Sequence, residues 1–123
     1  MMRYIENYPD ELDLIEFFNT EAYYRDDHEE KFAYIYTDSE GVSLDFGFSH
    51  MEGWLQIFVK HNDKDVITLS YEGFKEFSIK NYKGNKYIQA NVEVGGISIA
   101  LTIHVEPSIK VESIILDNRY DEE

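Results

Sequence analysis

From Phe32 to Val105, apolar and polar residues alternate with a period of two, broken only by turn-sized gaps. Val42, Leu44, Phe46 and Phe48 alternate with Ser43, Asp45, Gly47 and Ser49. Successive strand side chains point to opposite faces, so such a stretch buries one face and wets the other. The pattern recurs at Leu55, Ile57 and Val59, at Ile67, Leu69 and Tyr71, at Phe77 and Ile79, from Ile88 to Val94, and from Ile97 to Val105. The gaps are Asp38–Gly41, His50–Gly53, His61–Asp65, Lys83–Asn85 and Gly95-Gly96. Links this short favour antiparallel neighbours, because a parallel crossover needs a dozen residues or more. Gly95-Gly96 is a hairpin signal, since both positions tolerate positive φ. After Pro107 the apolar phase starts at Ile109 and Val111, then slips to Ile114 and Leu116, which predicts a bulge or bend.

The segment before Phe32 follows another period. Pro9 suits the first helical position, and Asp10, Glu11 and Asp13 complement the positive end of the helix dipole. Leu12 and Ile15, with Leu14, Phe17 and Phe18, give an apolar stripe of helical spacing. A helix is expected over about residues 9–20, with Ala22, Tyr23 and Tyr24 in a further turn or loop. One apolar stripe must cover something. The expected fold is α+β and predominantly β: about eight antiparallel strands in a curved sheet or open barrel, with the N-terminal helix packed on it. The 123 residues fit one domain, 1–123, with a β-meander over about 31–117 and a frayed acidic tail at 118–123.

Composition closes off several classes. The chain has no Cys, which rules out disulfides, thiolate nucleophiles and thiolate zinc sites. No run approaches the roughly 18 apolar residues of a membrane span, and Met1 to Tyr8 lacks the apolar core of a signal peptide. A cytoplasmic protein is expected. Glycine-rich phosphate loops, G-x-S-x-G elbows and H-E-x-x-H pairs are all missing from the sequence. His28, His50, His61 and His104 read as surface residues. Asp26-Asp27-His28-Glu29-Glu30 offers metal-ligand atom types, but consecutive residues rarely converge on one ion, so a solvated charge run is expected. Asp63 and Asp65 lack the glycine of a calcium loop. No catalytic residue, metal or cofactor is assigned.

The charge is lopsided. The formal net charge is −14, and residues 1–52 hold fourteen acids against three bases, a balance of −11. Such a field repels nucleic acid and anionic membrane and draws basic macromolecules. Aromatics beside the acids add desolvated anchors to long-range steering. The candidate partner-binding residues are therefore Asp10, Glu11, Asp13, Glu16, Glu21, Tyr23, Tyr24, Asp26, Asp27, Glu29, Glu30 and Trp54.

In plan, a short, acidic, cysteine-free chain with a helix leading into a β-meander, the sequence resembles the small immunity proteins of bacterial polymorphic toxin and contact-dependent growth inhibition systems. The stretches Thr68-Leu69-Ser70-Tyr71-Glu72-Gly73-Phe74-Lys75-Glu76-Phe77-Ser78-Ile79 and Gly95-Gly96-Ile97-Ser98-Ile99-Ala100-Leu101-Thr102-Ile103 look like the β-rich members. The resemblance implies a function without catalysis: binding a cognate toxin domain in the cytoplasm and blocking its active site or the approach of its substrate. Many such toxins are nucleases or otherwise basic, which agrees with the charge. Three readings stand beside it: an acidic mimic of nucleic acid that inhibits a DNA- or RNA-binding protein, a small β-barrel enzyme working through carboxylates, and an adaptor domain without chemistry.

Overall fold

The computed structural model describes residues 5–117 and 119. One helix, α1 (Glu11–Phe18), precedes nine strands: β1 (Tyr24–Asp26), β2 (Lys31–Thr37), β3 (Val42–Ser49), β4 (Trp54–His61), β5 (Lys64–Glu72), β6 (Phe74–Tyr82), β7 (Asn85–Val94), β8 (Ile97–Glu106) and β9 (Lys110–Asp117). All strand pairs are antiparallel and sequential, in a five-stranded sheet β1-β2-β3-β4-β5 and a four-stranded sheet β6-β7-β8-β9. The mostly-β plan with a helix packed on it is the one read from the sequence, in its open form: two sheets and no closed barrel. The chain passes between sheets at Gly73, whose N–H is held by the Gly53 carbonyl at 3.0 Å. The ninth strand is β1, three residues long in a stretch read as turn or loop.

Inward positions follow the alternation. Tyr34, Leu44, Phe46, Phe48, Leu55 and Ile57 from the first sheet are fully buried against Phe77, Ile88, Ala90, Leu101 and Ile103 from the second. Phe77 meets Phe46 and Phe48 edge-on, at 5.4 and 5.0 Å between ring centres. Helix α1 touches β2 of one sheet and β6 of the other, closing the core between them with Leu14, Phe17 and Phe18. Phe18 stacks on Tyr34 at 5.0 Å. The segment before the helix ties the same two sheets by backbone bonds. Ile5 N–H donates to His50 in the β3–β4 turn, and Glu6 N–H donates to Lys75 in β6.

Several local expectations are corrected. The helix spans 11–18 rather than about 9–20, because Asp10 takes the N-cap: its carboxylate accepts the Asp13 N–H at 2.9 Å. Pro9 therefore lies outside the first turn. Asn19, at φ 60, ends the helix in the left-handed conformation. Leu12 is 77 % exposed, since the buried stripe runs through Leu14, Phe17 and Phe18. The β4–β5 connection is shorter than the loop expected over 61–65, because both strands extend to leave Asn62 and Asp63 in a tight turn, each at positive φ. The phase slip in β9 is not a bulge. Its register with β8 is unbroken from Ile97↔Asp117 to His104↔Lys110, and Ile114, Ile115 and Leu116 are simply exposed on an edge strand. The register shifts fall instead at Val59/Lys60, Phe74/Glu76 and Lys86/Tyr87. Gly95 and Gly96 form the expected turn, with φ of 56° and 86° and Val94 paired to Ile97. Of the expected tail, 118 and 120–123 lie outside the described residues.

Candidate functional site

The outer face of the five-stranded sheet is ordered by register into three cross-strand rows. The first runs Asp26, Lys31, Ser49, Trp54 and Glu72. The middle row runs Tyr24, Ala33, Gly47, Gln56 and Ser70, and the third Ile35, Asp45, Phe58 and Thr68. Two adjacent members of the middle row, Ala33 and Gly47, have almost no side chain, and larger neighbours stand around them. The result is a groove of about 350 Å³, walled by Tyr23, Tyr24, Trp54 and Phe58.

Asp45 faces this groove and is partly buried. The Tyr23 hydroxyl donates to its carboxylate, at 2.9 and 2.7 Å from the two oxygens. Burial raises the Asp45 carboxyl above its ordinary value, against the lowering effects of that hydrogen bond and of Lys60. Its own desolvation, and after it the same contact, push the Tyr23 hydroxyl up to about 12. At the other end, Lys31 lies 2.7 Å from Glu29 and 3.3 Å from Glu52, with its ammonium 6.0 Å from the centre of the Trp54 ring. Trp54 donates to Glu52 at 3.2 Å. An ammonium packed over an indole and between two carboxylates is a favourable cation site.

The residues read from the sequence divide among several surroundings. Tyr23, Tyr24, Trp54 and Glu29 meet at the groove or its rim, and both tyrosines are exposed, at 57 % and 49 %. Asp26 caps a turn, accepting the N–H groups of His28 and Glu29 at 3.1 Å. Glu11 and Asp27 clamp Arg25 from two sides. Glu30 bonds His50 Nδ1 at 2.6 Å, a nitrogen that also lies 3.4 Å from the Tyr8 hydroxyl. Asp13 and Glu16 line a separate groove of about 290 Å³ with Lys80 and Asn81 of β6. Asp10 is the helix cap, and Glu21 is exposed.

Sequence reading missed Asp45, Gly47, Phe58 and Glu52. One signal was present: Gly47 interrupts a strand whose other outward residues carry side chains, and glycine inside a strand often marks a close approach by another molecule. Among the described residues, no group of three or more His, Asp or Glu side chains is placed to hold a metal ion.

No protein-family model matches the chain, and no curated protein does. Among solved structures, it is similar to a chain of a contact-dependent growth inhibition toxin–immunity protein complex from Klebsiella pneumoniae 342. The match has 32 % identity and a TM-score of 0.86, and it covers 92 % of this chain and 99 % of that one. The chain belongs to the immunity proteins of contact-dependent growth inhibition systems. As a member of this family the chain has an inhibitory rather than an enzymatic role. The groove lies on the face of the sheet opposite Tyr34, Leu44, Phe46 and Phe48.

Proposed function

We propose that this immunity protein binds the toxin domain encoded beside its own gene, in the cytoplasm, and that this toxin is a basic nuclease. The observation that carries the first part is the end-to-end likeness to a chain of a toxin–immunity complex. The basic character of the partner is supported by the lopsided charge, −11 over the first 52 residues. A nuclease needs a cationic surface to hold phosphates, and a dense carboxylate surface competes for that surface.

Steering of this kind raises association rates by roughly 10- to 1,000-fold and fades with salt. Co-expression with the adjacent toxin domain is expected to restore growth that the toxin alone abolishes. The paired reversals Glu29→Lys and Glu52→Lys are expected to slow association at least tenfold and flatten its salt dependence. Reversal of Asp63 and Asp65, in the β4–β5 turn, is the control. Failure of the wild-type chain to protect would overturn the proposal. Equal, tight binding to several unrelated basic proteins would instead favour the nucleic-acid mimic.

A further inference from the structure

We infer that the groove over Gly47 is a receptor for one arginine side chain of the toxin, stacked against the aromatic walls with its guanidinium on Asp45. This rests on the toxin-binding reading above and names what the toxin must present.

Three observations carry it. First, Gly47 has no structural need to be glycine. It is not among the residues at positive φ, and a Cβ built on it would meet only the Phe32 carbonyl at 3.5 Å and Ala33 Cβ at 3.6 Å, ordinary contacts. Glycine there weakens a central strand, since it contributes no side chain to packing. What its bare backbone supplies is the depth of the groove.

Second, Asp45 is a partly buried carboxylate that Lys60 influences only from beyond ion-pair distance. Among the described residues it forms no ion pair, and the Tyr23 hydroxyl is its hydrogen-bond partner. A carboxylate withdrawn from water is stabilised by an opposite charge with hydrogen-bonding capacity, and a guanidinium provides both in a planar fork.

Third, the neighbouring Lys31 shows the same chemistry made within the chain: a cation over Trp54, held between Glu29 and Glu52. The Asp45 end has the aromatic walls and the carboxylate but, among the described residues, no cation within ion-pair distance. A flat guanidinium also stacks on tyrosine and phenylalanine faces better than a compact ammonium does.

The test uses the full chain and a catalytically inactivated form of the adjacent toxin domain. Trp54 is the sole tryptophan and lines the groove, so its fluorescence reports occupancy directly. Gly47→Thr fills the groove, and Asp45→Asn removes the charge while keeping the shape. Each is expected to weaken binding at least 30-fold without lowering the melting temperature, while Glu93→Gln on the second sheet leaves binding unchanged. Replacing the toxin's arginines by alanine one at a time should reveal one whose loss weakens wild-type binding but costs little further against Asp45→Asn. If the wild-type chain does not bind the toxin domain, the toxin-binding reading fails. If it binds, and both variants bind as well as wild type, the groove is not the receptor and this inference alone is overturned. Independence of every toxin arginine from Asp45→Asn overturns it equally, and keeps the test decisive should Gly47→Thr not fold.

Discussion

The Tyr23 hydroxyl, just before β1, reaches across β2 and donates to Asp45 on β3, 2.9 and 2.7 Å from its two oxygens. It joins the short edge strand to the centre of the sheet and fixes both a groove wall and the carboxylate inside it. Burial raises the Asp45 carboxyl, so ionising it in the folded state costs more than in the unfolded chain. The stability it contributes is complete below the ordinary value of 3.8 and is lost as pH rises through the raised folded value. Asp45→Asn is therefore expected to be more stable than wild type at pH 7, with the advantage shrinking as pH falls towards 3.8. Urea unfolding of both proteins across that range measures it, and a constant difference would contradict the stated cause.

The hydrogen bond from Tyr23 acts on Asp45 in the opposite sense, favouring the ionised form. Tyr23→Phe should move the Asp45 titration upward. Carbon-detected NMR of the Asp45 carboxyl group reads the shift.

Asp10 provides the helix cap that sets where α1 begins. Asp10→Ala should cost about 1 kcal/mol of unfolding free energy, the usual loss when a capping carboxylate is removed. Chemical denaturation is sufficient to detect it. Because α1 closes the core between two sheets, the loss should appear in the global transition rather than as a separate fraying step.

Phe18 stacks on Tyr34 and packs edge-on against Phe17, with 2 % of its surface exposed. Phe18→Ala is expected to cost about 3–5 kcal/mol, from lost burial and the cavity left behind. Leu12→Ala, on the same helix but 77 % exposed, should change stability by no more than about 0.5 kcal/mol. Equal effects at the two positions would mean that the helix packs through a different face.

Much of the fold is legible because burial is written into the strand period. The alternation from Val42 to Phe48 and from Leu55 to Val59 assigns the inward residues correctly, and Gly95-Gly96 marks its hairpin. The helix stripe is harder to read, since Leu12, Leu14 and Ile15 are all apolar and only packing chooses among them. The end of the chain misleads for a related reason. An exposed edge strand can carry Ile114, Ile115 and Leu116 without a core to sort them, so the period there reports no bulge.

Local sequence determined the strand period, the turns, the acidity and the spacing that makes one short helix amphipathic, because each is set by residues a few positions apart. Which outward residues meet was decided by tertiary structure alone. Tyr23, Ala33, Asp45, Gly47, Trp54 and Phe58 come from four separate segments and share a groove only once β1 to β4 are paired in register. Register is fixed by burying the opposite face, so the core places a surface that contributes little to holding the core together.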